Sequence, residues 1–105
     1  MEKKILIEVS KDEVRAYKQH DNYRELLSGL KLDFENIFDQ RDIDREVYKL
    51  SEFIRKIKLQ YCEYTIRAIA SGLEAILNDE RIFELQEGLE KYCNIRLHVV
   101  PGEQH

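Results

Sequence analysis

The chain has 105 residues, 43% of them apolar and 36% charged, with one proline, four glycines and a formal charge of −4. That length suits a single domain over 1–105 built on its own core; the mild acidity argues against a general nucleic-acid binder, and the scarcity of proline and glycine against a turn-rich all-β fold. No apolar run approaches the ~20 residues that a membrane span needs and Ile5-Leu-Ile7 is too short for a signal-peptide core, so a cytoplasmic protein with no membrane partner is expected.

Residues 3–9 alternate Ile5, Ile7 and Val9 with Lys4, Leu6 and Glu8, which is strand periodicity. Ser10-Lys-Asp-Glu13 has capping-box spacing and predicts a short helix from residue 11 with Val14 and Tyr17 inward. The competing reading is a hairpin with 14–18 as a second strand, disfavoured because the connection holds no glycine or asparagine. His20-Asp21-Asn22 breaks the pattern. Asp21 then caps a second helix with the seam Tyr23, Leu27, Leu30, Phe34 and Ile37.

A strand, Ser10-x-x-Glu13, a helix and then Tyr23-Arg-Glu-Leu-Leu27 resembles the ribbon-helix-helix repressors over the first third of the chain. The resemblance implies strands paired across a dimer that read DNA. The outward strand positions here are Lys4, Leu6 and Glu8, a poor set for base edges, and membership is not inferred.

After Asp39-Gln-Arg41, Asp42 is expected to cap a third helix with the seam Ile43, Val47, Leu50, Ile54, Ile57 and Tyr61. It runs into Tyr61–Leu77, where Gln60, Glu63, Arg67, Ser71, Glu74 and Asn78 share one arc of roughly 80° on a helical wheel. The stretch therefore reads as a helix covered on most sides, with Ala68, Gly72 and Ala75 letting a neighbour approach. Unbroken from 43 to 77 it would be ~52 Å long, so it bends near Ser71-Gly72 or projects. Asn78-Asp79 opens a fourth helix with Ile82, Leu85, Leu89 and Tyr92 inward and Asn94 as its stop. Residues 95–100 alternate again, before a flexible tail over 101–105. The expected fold is α+β and predominantly helical, β-α-α-α-α-β, with a long central helix and short terminal strands that pair.

The sequence holds no glycine-rich phosphate loop, HExxH, CxxC or GxSxG. The expectation is a non-enzymatic protein with no cofactor, metal or catalytic residue. Cys62 and Cys93 fall on apolar helix positions and read as buried thiols in a reducing compartment. Residues 41–67 gather seven bases and five acids, and Tyr48, Phe53, Arg55, Lys58 and Leu59 stand off the main seam. These five form the expected interaction surface of a small intracellular protein-protein interaction module, a regulator, adaptor or inhibitor of a larger protein. The alternative is a nucleic-acid-binding protein that uses the basic and aromatic helix at 41–67. A homodimer is expected, because a two-stranded ribbon is marginal alone and an overlong helix leaves apolar surface uncovered.

Overall fold

The computed structural model describes residues 3–102. Five strands and two α-helices form it: β1 (Lys4–Val9), β2 (Glu13–Gln19), β3 (Arg24–Lys31), α1 (Gln40–Gln60), β4 (Thr65–Ser71), α2 (Asp79–Cys93) and β5 (Leu97–Val100). One sheet in the order β3-β2-β1-β4-β5 runs through the molecule. β1, β2 and β3 are an antiparallel meander, whereas β4 joins β1, and β5 joins β4, in parallel.

One face of this sheet carries the core. Ile5, Ile7 and Val9 from β1, Val14 and Ala16 from β2, Ala68 and Ala70 from β4 and Leu97 from β5 are all buried. α1 covers them with Ile43, Val47, Leu50, Ile54 and Ile57, the seam expected from its steps of four and three, and α2 with Leu85, Leu89 and Cys93. The alanines let helices lie close to the sheet. β4 and β5 return parallel to β1 through crossover helices on that one side, as right-handed crossovers require.

The helical β-α-α-α-α-β architecture is thus replaced by a mixed five-stranded sheet. Residues 13–19 are a strand rather than a helix: the Ser10 N–H donates to the Glu13 carbonyl at 2.9 Å and closes a tight turn without glycine. Residues 24–31, expected as part of a helix, are β3, with a bulge opposite Ala16 and Tyr17 that admits an extra residue. The ribbon-helix-helix likeness ends there, because its helices are strands.

The long central helix is overturned as well. α1 stops at Gln60, residues 61–64 turn, and Thr65–Ser71 is β4. Thr65-Ile-Arg-Ala-Ile-Ala-Ser71 satisfies a period of two as well as a helical wheel, and pairing with β1, Lys4 opposite Thr65 through Val9 opposite Ala70, decides between them. Gly72 sits at φ 79°, a left-handed position that suits glycine, and ends the strand instead of bending a helix. The terminal strands do not pair: β4 lies between them, and Ile69 stands between Glu8 and His98. Both premises of the expected homodimer, a bare two-stranded ribbon and a projecting helix, are therefore absent from this fold.

Local signals did hold at helix ends. Asp39, not Asp42, caps α1, and Asp42 is the reciprocal partner in a capping box. Asn78 caps α2 and Asn94 ends it at φ 52°. Tyr92, expected inward, is exposed, and Cys93 takes the core position. Cys62 is exposed in the turn after α1, so only Cys93 is a buried thiol. Of the tail expected over 101–105, residues 103–105 lie outside the described residues.

Candidate functional site

In open sheets with parallel strands, ligands bind outside the carboxyl ends of the strands, where the loops and the amino ends of crossover helices gather. Here β1, β4 and β5 end together. The β1–β2 turn contributes Ser10, Lys11 and Asp12; the end of β4 contributes Gly72 and the short 3-10 turn Leu73–Ala75; the end of β5 contributes Gly102. The Gly72 N–H donates to the Val100 carbonyl at 3.4 Å, and the Gly102 N–H donates to Glu74 Oε1 at 2.8 Å. A Cβ on Gly102 would stand 3.2 Å from Gly72 Cα, a tight contact, whereas one on Gly72 would meet nothing within 4 Å and glycine is favoured there by its φ of 79°.

The rim is completed from the other side by residues 32–39. The Leu32 and Phe34 N–H groups donate to the Asp12 and Lys11 carbonyls at 2.9 and 3.0 Å, which fixes the β1–β2 turn against the loop leading into α1. Ser10 Oγ lies 3.0 Å from Asp12 Oδ1, and Lys11 lies 3.7 Å from Glu35. Arg81 of α2 reaches the Asp39 carbonyl at 3.2 Å, tying the amino ends of both helices to this edge. Asp42 there is held below the usual carboxylate range by the Phe38 N–H first, then by the Asp39 N–H, Arg45 and Arg41, against some opposing desolvation. The edge thus offers close-set glycine backbone, the Ser10 hydroxyl and Lys11 beside Arg81, Arg41 and Arg45, among several carboxylates. Among the described residues no group of three or more His, Cys, Asp or Glu is placed to hold a metal ion.

Of the five residues expected to form an interaction surface, Tyr48 and Phe53 line one groove, and Arg55, Lys58 and Leu59 lie apart from it. Tyr48, two-thirds exposed, flanks a groove of about 490 Å³ between α1 and β3 with Leu30, Lys49 and Lys56, whereas Phe53 at its floor is buried in the core rather than standing off the seam as expected. Arg55 pairs with Glu52 on α1 at 3.1 Å. Lys58 is turned the other way: its Nζ donates to the Cys93 carbonyl at 2.8 Å and lies 3.4 Å from that of Asn94, satisfying the last carbonyls of α2. Leu59 is exposed apart from these. Burial pushes the Cys93 thiol up, with Lys58 beside it acting in the opposite sense.

The basic cluster at 41–67 is divided in the same way. Lys49 bonds the buried Glu46 at 2.9 Å, Arg45 lies 3.6 Å from Asp42, and Arg67 leaves the helix altogether for β4. The rim residues were present in the sequence but read otherwise, Ser10 as a helix cap and Gly72 as a bend. The available signal was a strand ending at Ser10 with no helical seam long enough to follow it.

No family model matches the sequence, and no curated protein matches it. The fold does have solved counterparts. An exopolyphosphatase from Cytophaga hutchinsonii superposes with a TM-score of 0.74 at 12% identity, over 96% of this chain and 35% of its own. The Ppx/GppA family member of Aquifex aeolicus gives 0.72 at 14% identity, over 98% of this chain and 36% of its own. A Bacteroides thetaiotaomicron protein with an actin-like ATPase fold and unknown function gives 0.51 at 15%, over 94% and 32%. The chain therefore folds like an Ppx/GppA or actin-like ATPase domain, and spans about a third of the length of these proteins. The non-enzymatic expectation is withdrawn on this finding, since proteins described as exopolyphosphatases and Ppx/GppA enzymes share the fold, and so is the description as a helical regulator or inhibitor. No helix among the described residues is long and apolar enough to cross a membrane.

Proposed function

We propose that this chain is one lobe of a Ppx/GppA-like phosphohydrolase and that its strand-end rim, Ser10 to Asp12 with Gly72 and Gly102, is one wall of a site for phosphate chains. The observation that carries the reading is the superposition of nearly the whole chain on about a third of solved proteins named as exopolyphosphatases. A lobe of that kind supplies a binding wall, and hydrolysis needs the opposing wall as well. The rim chemistry agrees in kind. Lys11 carries a charge, and Gly72 and Gly102 leave the edge open for want of side chains, their own N–H groups being donated to the Val100 carbonyl and Glu74 as the Ser10 hydroxyl is to Asp12. Asp12, Glu35 and Glu74 crowd the same edge, so a phosphate chain would reach it with divalent counter-ions. We further place the protein in the cytoplasm, on its two free thiols.

The test is equilibrium binding of magnesium polyphosphate to the 105-residue chain by calorimetry. Binding without turnover is expected, weakened by about tenfold or more in Lys11→Glu, the loss of one charge-assisted contact. Lys56→Glu, away from the rim on α1, should leave it unchanged. Equal weakening by both substitutions would mean diffuse charge attraction and would remove the rim as the site.

A further inference from the structure

Residues 32–34 run on from β3 alongside the β1–β2 turn, and their backbone N–H groups alternate in direction as extended chain does. Those of Leu32 and Phe34 donate to the Asp12 and Lys11 carbonyls, at 2.9 and 3.0 Å. The Asp33 N–H between them faces the opposite way, toward α1, where Glu46 Oε1 accepts it at 2.6 Å. Leu32 and Phe34 anchor the segment in the core by their buried side chains. Apolar packing has no direction. The Glu46 bond supplies one, because it fixes the tilt of the Leu32–Asp33 peptide plane.

Glu46 occupies a position that packing alone would give to an apolar residue. It lies one turn from Ile43 and one turn from Leu50 on the seam of α1, and it is 2% exposed. Taking a carboxylate out of water is costly, and apolar side chains of similar volume in place of a buried ion pair often leave stability unchanged or raise it. Lys49 offsets the charge at 2.9 Å while keeping part of its own side chain in solvent. The core does not require Glu46. The Asp33 N–H does, since without it that donor would face the α1 seam with no acceptor.

We infer that Glu46 is a positioning residue for the Ser10–Asp12 turn: by holding the Asp33 amide it aims the Leu32 and Phe34 amides that fix the Asp12 and Lys11 carbonyls. Its effect on ligand binding rests on the reading of this turn as part of a phosphate wall, whereas its hold on the turn does not. Buried behind the loop, Glu46 acts through the backbone and not on the phosphate. A turn fixed in this way presents Lys11 in one arrangement, so binding does not have to order it.

Isotope-labelled Glu46→Met and Glu46→Gln test this, with circular dichroism to establish that each folds. Methionine keeps the volume and removes the acceptor; glutamine keeps an acceptor oxygen for the Asp33 N–H and loses the charge. In Glu46→Met, exchange of the Leu32 and Phe34 amides should quicken by about tenfold or more, beyond any change at the Ile7 and Ala68 amides of the sheet centre. The Ser10, Lys11 and Asp12 amide shifts should move with it, and magnesium polyphosphate should bind about tenfold more weakly. Glu46→Gln should stay close to wild type in all three. Glu46→Asp, one methylene shorter, takes the place of the methionine variant if that does not fold. Turn, Leu32 and Phe34 amides untouched by loss of the acceptor, or glutamine as damaging as methionine, would overturn the inference. So would polyphosphate binding that stays at the wild-type level while the turn amides move. A wild-type chain that binds no polyphosphate would remove the phosphate wall alone, and the amide measurements would still decide whether Glu46 holds the turn.

Discussion

α2 packs against α1 at Gly88, where an added Cβ would stand 2.5 Å from Val47 Cγ1 on α1. Carbon atoms rest at about 3.5–4.0 Å, so Gly88→Ala forces a displacement of at least about 1 Å. Two effects of opposite sign compete. Alanine in place of glycine inside a helix gains about 1 kcal/mol. Overpacking costs about 1–3 kcal/mol, and Val47 has little freedom to yield, because a β-branched side chain in a helix keeps one preferred rotamer. The expected result is a net loss of about 1 kcal/mol, read as a fall in Tm of about 4–8 °C. Removing the obstacle should reverse the sign: in a Val47→Ala background the same Gly88→Ala change should stabilise by up to about 1 kcal/mol, a coupling of about 2 kcal/mol between the sites. Thermal melts of the four proteins decide it. A Tm that rises with Gly88→Ala in the wild-type background, or shifts equally in both, refutes the helix packing described.

Glu46 is buried in α1, and its Oε1 accepts the Asp33 N–H at 2.6 Å and the Lys49 ammonium at 2.9 Å; Glu46→Ala should cost about 1–3 kcal/mol and speed amide exchange at Asp33, and an unchanged Asp33 amide would disprove the contact. The depressed Asp42 carboxyl, held by the Phe38 and Asp39 amides and then by Arg45 and Arg41, contributes stability above its unfolded pKa that is lost as pH falls through its lower folded value. Urea midpoints of wild type and Asp42→Asn should therefore differ at neutral pH and converge below pH ~4, and a gap that persists in acid would contradict this.

Helix ends and core seams were legible because their signals are local. Asn78 and Asn94 bound α2 as read, and the Ile43 to Ile57 seam is the buried face of α1. The strands of 13–31 and 65–71 were not, for a different reason. Leu26, Leu27 and Leu30, or Ile66, Ile69 and Leu73, fit helical spacing when taken alone, and their strand identity comes from partners elsewhere in the chain: β4 pairs with β1, some 60 residues away. A local wheel has no access to that pairing. The rim was missed with it, because Ser10, Gly72 and Gly102 become neighbours only once β1, β4 and β5 lie side by side. Tyr48 and Leu59 lie off the seam as read, but Phe53, grouped with them, is buried in the core, and distance from a seam does not gather residues into one surface.

Backbone amide shifts of the isotope-labelled chain during titration with magnesium polyphosphate test the proposed site most directly. Saturable shifts confined to Ser10, Lys11, Asp12, Gly72 and Gly102 are predicted. Shifts centred on Tyr48 to Leu59, or none at millimolar polyphosphate, would contradict a phosphate wall at the strand ends.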